Sequence, residues 1–318
     1  ILFPLSACIA GYGLLESGIV SRRNEVNILV KNGANLALGG ITYWIFGYAL
    51  SFGTAPGTNP VFAWGYWGEF FLNSETGDTN FGFAYSKYVF QLAYATTATT
   101  LVSGAMAERC NFSAYCVFCA LNTLVYCIPA GWVWGPQGFL RNLGVVDVGG
   151  SGVVHLCGAV AGLTGALFLG PRIGRYDHGN DKLPMGSATN ALMGLFMLWW
   201  GWMGFNAGST FGISGNKWKF ASRASVTTIL SSMGGGFTAM VISVIRQPGL
   251  YSINVLISGI LASLVAITAA CPLVHPWEAI VIGVTGSALT IYTIPLMDRL
   301  RIDDPIDSFA VHGVAGLW

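Results

Sequence analysis

Charged residues are scarce in this sequence. Asp, Glu, Lys and Arg make up 9% of it, against about a quarter of an ordinary soluble chain. A soluble domain of 318 residues disperses behind a charged shell, and these residues are too few to build one. There is no cysteine and histidine cluster that suggests zinc, and no nucleophile, base and orienting residue of an enzyme, so neither a metal nor another cofactor is implied. The formal net charge of +1 gives no pointer to nucleic acid. The seven cysteines lie mostly in apolar stretches, where cysteine acts as a small hydrophobe. Ile1 opens inside an apolar run with neither an initiator Met nor a signal-peptide n-region. Trp318 closes the chain part-way into another apolar run, short of the ~20 residues that a span needs, so the expectation is a fragment cut at both ends.

What remains is apolar. Hydrophobic residues make up 53% and there are 43 glycines, a mixture suited to helices packed closely in lipid. Apolar stretches bounded by charges or Pro/Gly clusters predict ten spans, near 1–20, 33–53, 85–107, 112–134, 150–170, 187–207, 221–245, 252–271, 277–297 and 308 onward. The fold class is therefore an all-α polytopic membrane protein, a single transmembrane domain over 1–318. The longest connector, 54–84, holds Pro56, Pro60, Glu69, Glu75 and Asp78 among many aromatics and reads as an ordered surface loop. Alternate loops carry Arg22, Arg23, Lys31, Arg109, Arg172, Arg175, Lys182, Arg246, Arg299 and Arg301, ten of the fifteen basic residues. Lys87, Arg141, Lys217, Lys219 and Arg223 fall on the other side. The richer side is the cytoplasmic one, which puts residue 1 outside. It also puts the sequon Asn111-Phe112-Ser113 in the cytoplasm, where it goes unused.

Two distant segments resemble each other. Val153-Val154-His155 lies in the fifth span with Asp147 eight residues before the histidine, and Ala310-Val311-His312 lies in the tenth with Asp307 five residues before it. Five spans separate them, an odd number, so equivalent spans cross in opposite directions: inverted pseudo-repeats over 1–170 and 187–318. An ionisable group within a span costs ~2.5 kcal/mol or more unless it faces a cavity or a partner. His155 and His312 are thus either two packing histidines bonded to carbonyls or one paired site near mid-membrane. Phe90 and Tyr94 share a helix face; Trp134 and Ser209 fall near the outer surface, where an ordinary aromatic belt is the competing explanation. Glu16 sits near the inner end of the first span and reads as a capping or pairing group. Gly158-x-x-x-Gly162 and Gly234-Gly235-Gly236 read as close-packing sites.

Taken together, GLLESGIVSRRNEVNILVKN (13–32), FQLAYATTATTLVSGAMAERCNF (90–112), WVWG (132–135), DVGGSGVVH (147–155), GFNAGS (204–209) and DDPIDSFAVHG (303–313) resemble the Amt branch of the ammonium transporter, methylammonium permease and Rhesus family, in family order along nearly the whole chain. The wording around 13–53 is similar to animal members. The resemblance implies eleven transmembrane helices, ten of them present, in inverted five-helix repeats around a central pore. It also implies an extracellular N-terminus in the plasma membrane and a homotrimer with one pore per subunit. By the same resemblance His155 and His312 are the twin pore histidines, and Trp134, Ser209 and Tyr94 recruit ammonium. Phe90, Tyr94 and Phe205 form the gate and walls, Trp202 lines the pore, and Asp147 is a structural carboxylate. Three positions depart from the family pattern: Tyr94 for Phe, Pro136-Gln137 after WVWG, and Val148 after Asp147.

These residue types suit the substrate. Near neutral pH an amine of pKa ~10 is a cation. Ring faces attract a cation by ~0.5–2 kcal/mol each, and a hydroxyl such as Ser209 accepts an N–H. Deeper in, an aliphatic and aromatic lumen opposes a bare cation by tens of kcal/mol in idealised solvation, whereas neutral ammonia loses only hydrogen bonds. The expected activity is ammonium/ammonia transport, with methylammonium as analogue: cation capture outside, deprotonation near the gate, and conduction past imidazoles that share one proton. An ammonium sensor with little flux and a Rhesus-type ammonia or carbon dioxide channel are the alternatives.

Overall fold

The computed structural model describes residues 2–73, 81–177 and 183–318; Glu75, Asp78 and Lys182, weighed above, lie outside the described residues. Among the described residues the secondary structure is helical throughout. Helix α1 (Leu2–Ile19) is followed by α2 (Glu25–Thr42), which runs through a π turn (Tyr43–Gly47) into α3 (Tyr48–Phe52). Next come α4 (Phe81–Ala105), α5 (Phe112–Trp134) and the short α6 (Phe139–Asn142). A π turn (Ser151–Leu156) opens α7 (Cys157–Leu169). The second half holds α8 (Ala188–Gly208), α9 (Lys217–Arg246), α10 (Ile253–Thr268), α11 (Pro276–Arg299) and a π turn (Phe309–Val314) leading into α12 (Ala315–Leu317). Segments 112–142, 151–169, 217–246 and 276–299 are long and apolar enough to cross a membrane on length and composition alone, and Ile253–Thr268 is a shorter apolar helix. On α5, Val117, Leu121 and Val125 are more than half exposed along one face, a stripe that suits lipid and not water.

Each of the ten predicted stretches is helical, with two shifts at the ends. The second helix starts at Glu25 and not near 33, because its polar residues have internal partners: Lys31 is buried with Nζ donating to the Cys110 carbonyl at 3.0 Å, and Asn32 Nδ2 donates to Glu16 at 2.6 Å. Lys31 is therefore not a loop charge. Lys217, Lys219 and Arg223, read as an outer loop cluster, occupy the first turns of α9. Asn111 of the sequon is the N-cap of α5, its side chain accepting from the Ser113 and Ala114 N–H groups. The connector is ordered over its described part, where Trp132 Nε1 donates to the Val61 carbonyl at 2.9 Å.

Helices approach closely where the chain places glycine. A Cβ on Gly194 of α8 would stand 2.7 Å from the Gly11 carbonyl oxygen of α1, so that seam closes only without side chains. Gly158 likewise meets the Ala98 carbonyl of α4, and Gly235 the Gly259 carbonyl of α10, as expected of both glycine clusters.

An ion network gathers several connections at one end. Arg172 holds Asp303 with Nε–Oδ2 at 2.8 Å and Nη2–Oδ1 at 3.0 Å, and reaches Glu108 at 2.7 Å. Glu108 accepts in turn from Ser21 and Asn24, and Arg109 donates to the Gly170 and Asp303 carbonyls. The connections after α1, α4, α7 and α11 thus meet on one face, as they must if successive helices alternate in direction. Burial alone would raise the Asp303 pKa, but the Arg172 hydrogen bonds and the Arg172 and Arg109 charges outweigh it and hold it below the ordinary carboxylate value. A lowered folded pKa contributes stability that is present above the unfolded value and lost as pH falls through the folded one. Asp303→Ala is expected to cost about 2 kcal/mol, less than the ~3–5 kcal/mol of a buried pair losing its sole partner, since Arg172 keeps Glu108. Thermal unfolding in detergent at neutral and acidic pH checks this: the gap between wild type and variant closes toward the acid end.

Candidate functional site

The fifth-span histidine is placed by the loop before it. Asp147 Oδ1 accepts the Gly150 and Ser151 N–H groups, both at 2.8 Å, and Oδ2 those of Gly152 and Val153 at 2.8 and 3.0 Å. The N–H groups of Gly150 and of the first three residues of the π turn are thereby satisfied by one carboxylate. Gly150 has φ +93°, and a Cβ there would lie 3.0 Å from the Trp134 ring. Trp134 Nε1 donates to the Asp147 carbonyl at 2.6 Å, so the same residue fixes the turn and the indole.

The tenth span repeats the spacing of carboxylate, serine and histidine, with one correction to the sequence alignment. Asp304, not Asp307, stands eight residues before its histidine, and Asp304 Oδ2 accepts the Phe309 N–H at 2.7 Å. Asp307, with φ +57°, takes the place of Gly150, five residues before the histidine. Both segments read D-x-x-x-S-x-x-V-H, over 147–155 and 304–312. Ser151 Oγ donates to the Val265 carbonyl of α10 at 2.9 Å and Ser308 Oγ to the Leu101 carbonyl of α4 at 3.0 Å, so each half anchors its turn in the other. The equal spacing was available in the sequence.

The two turns pack together and bring the histidines face to face. The ring centroids of His155 and His312 are 5.1 Å apart and their planes within 17° of parallel, with both residues buried. Nδ1 of each ring and Nε2 of His155 have no hydrogen-bond partner, so neither packing to carbonyls nor the expected imidazole–imidazole hydrogen bond is formed. A bond between two neutral imidazoles needs one ring nitrogen that carries hydrogen and one that does not.

A column of rings leads away from the pair. Trp202 stacks on His155 at 5.0 Å and 14°, and Phe205 lies 5.6 Å from His155. Tyr94 lies 4.5 Å from Phe205, 5.5 Å from Trp134 and 4.8 Å from Phe90. Trp202 Nε1 donates to Thr268 at 2.8 Å. Ser209 Oγ donates to the Phe205 carbonyl at 2.6 Å and is hydrogen-bonded to the Tyr94 hydroxyl, which answers where that hydroxyl finds its partner. Trp134 and Ser209 lie away from the ion network, at the C-terminal ends of α5 and α8, and Tyr94 meets them from the middle of α4. Every residue singled out for the site therefore falls in one connected group. Two were missed: Phe211, 5.1 Å from Phe90, and Tyr12, whose ring lies 5.8 Å from His312. Neither stands in a motif quoted for the site, and only packing reveals them.

This is an α-helical polytopic membrane protein whose polar and ionisable groups converge inside the bundle. A family model described as Ammonium Transporter Family matches residues 2–318, and the chain belongs to that family. Putative ammonium transporter 3 of Caenorhabditis elegans is 44% identical over 97% of this chain, and putative ammonium transporter 2 of the same organism 38% over 99%. The chain spans 45% and 62% of the lengths of these two relatives. Among solved structures, a sensor Amt protein superposes with a TM-score of 0.91 at 29% identity, covering 99% of this chain and 78% of that one. Saccharomyces cerevisiae Mep2 gives 0.86 at 32%, covering 99% and 70%.

Proposed function

We propose that this chain forms the conduction path of an ammonium transporter. The observation that carries the reading is the unbroken ring contact from Trp134 and Tyr94 through Phe205 to two buried imidazoles with unpartnered nitrogens. Trp134 and Tyr94 offer ring faces to a small cation and Ser209 a hydroxyl oxygen, while Asp147 holds the indole in place. Phe90 and Phe205 close the way to a bare cation, so ammonium gives up its proton there and ammonia passes Trp202 and the histidines. No more than one of the two imidazoles carries a positive charge at a time, because two like charges in a dry lumen repel. Segments 1–170 and 187–318 form inverted repeats, supported by the matching carboxylate, serine and histidine intervals. An experimental map in which the two did not superpose by a rotation of about 180° in the membrane plane would refute that part. The sidedness of the basic residues favours an N-terminus outside, and a homotrimer in the plasma membrane is what the family resemblance implies.

Labelled methylammonium uptake and current, recorded together on the full-length protein in reconstituted vesicles, test the reading. The likeness to a sensor protein makes binding without uptake the rival outcome. Trp134→Leu removes one ring face, worth ~0.5–2 kcal/mol, so apparent affinity for methylammonium is expected to fall by about 2- to 30-fold and selectivity over sodium with it. An unchanged affinity would return Trp134 to a merely interfacial role.

A further inference from the structure

Beyond the histidines the column does not end. Tyr12 of α1 packs against His312, and Glu16 follows one turn later on the same face of the helix, three residues before α1 stops at Ile19. Both side chains are fully buried, and Glu16 forms no ion pair among the described residues: Lys31 directs its ammonium to the Cys110 carbonyl instead. The two carboxyl oxygens of Glu16 are unlike. Oε2 accepts from Asn32 Nδ2 at 2.6 Å and from Ser103 Oγ at 3.2 Å, whereas Oε1 lies against Gly104 of α4 and accepts no side-chain hydrogen bond. The Tyr12 hydroxyl and His312 Nδ1 are also buried without one. A buried carboxyl kept only for packing would have both oxygens satisfied. One oxygen anchored by two side chains and the other by none suits a group that takes up and releases a proton, and Tyr12, one turn before it, packs its ring on His312.

We propose that Tyr12 and Glu16 relay protons between the histidine pair and the end of the bundle where α1 stops, the cytoplasmic end on the sidedness read above. A protonated His312 gives its proton to the Tyr12 oxygen as the Tyr12 hydroxyl proton passes, directly or across one bridging water, to Glu16 Oε1. Tyrosine ends neutral, imidazole ends neutral, and the carboxylate becomes a carboxylic acid that releases the proton to water at the bundle's end. The other ionisable groups facing Glu16 are Tyr12 on its own helix, Lys31 on α2 and Tyr115 on α5, and Cys8 of α1 faces Tyr12. The inference rests on the transport reading, and the experiment separates the two.

The test records current and labelled methylammonium uptake on the same vesicles for the full-length wild type, Glu16→Gln, Glu16→Asp and Tyr12→Phe. The ratio of current to uptake is expected to fall by about a hundredfold in Glu16→Gln and Tyr12→Phe, the lower end of what a positioned acid–base group contributes, and to recover in Glu16→Asp. Tyr12→Phe keeps the ring on His312 and guards against misfolding of the carboxyl variant. A ratio within about twofold of wild type in both variants overturns the relay, as does a parallel loss of current and uptake, which is how a displaced α1 would behave. Uptake without current in the wild type overturns the relay and spares the transport reading. No uptake in the wild type overturns the transport reading itself.

Discussion

Replacing His312 by alanine in the full-length protein is expected to reduce methylammonium uptake by about a hundredfold while the protein still folds. The size follows from what an amine loses: inside an apolar column, an unmade hydrogen bond costs ~1–3 kcal/mol, and the two rings act as one unit. The folding expectation follows from the site. His312 Nδ1 has no hydrogen-bond partner, so its removal orphans nothing there, and the remaining cost is a cavity between His155, Tyr12 and neighbouring chains, about 1–2 kcal/mol. Size-exclusion profiles and uptake measured on the same preparation check both halves. His155→Asp makes the complementary change. A fixed negative charge would stand where a neutral ring stacks on Trp202, and a sodium current should appear that the wild type lacks. Uptake within about twofold of wild type in His312→Ala would mean that the histidines only pack.

Asp147→Ala is expected to be the most destabilising single change in the site, at about 4–5 kcal/mol. Four N–H groups lose a charged acceptor, each such bond contributing ~1.5–3 kcal/mol but not additively. The loss spreads, because the Asp147 backbone also receives the Trp134 indole. Asp147→Asn keeps one acceptor oxygen and should cost roughly half as much, with the amide group turned against a pair of N–H donors. Thermal melts of both variants in detergent give the order. If Asn and Ala melt alike, the carboxylate is not what holds the turn.

Much of this could be read before the coordinates, for physical reasons that differ by feature. The span edges were legible because lipid-crossing helices leave charges and Pro/Gly clusters between them; the exception, Glu25–Asn32, failed because Lys31 and Asn32 find buried partners that no hydropathy pattern reports. The histidines were legible because an ionisable residue in a span must have a reason. The pairing of Asp147 with Asp307 went astray through matching residue type alone; matching distance to the histidine selects Asp304. Tyr12 and Phe211 stood in no quoted site motif, since an aromatic residue in an apolar helix is unremarkable until its neighbours are known. The tie between Tyr94 and Ser209 crosses between α4 and α8, a long-range contact that sequence spacing does not encode.

The matched intervals before the two histidines carry a consequence for how this chain tolerates change. Between carboxylate and histidine the halves differ freely in composition, Val-Gly-Gly in one and Pro-Ile-Asp in the other ahead of the common serine, yet both keep the same number of residues. Length there acts as a ruler. One residue added or deleted moves the histidine by one position around its turn relative to the carboxylate, a step that in an α-helix is about 100° and ~1.5 Å. That would swing an imidazole away from its opposite number and leave the carboxylate facing the wrong amides. Gly149 and Gly150 aside, where an added Cβ would meet Thr268 and Trp134, point replacements within the interval should be forgiven more often than single-residue insertions, a contrast that a mutational scan scored on growth with ammonium as nitrogen source would expose.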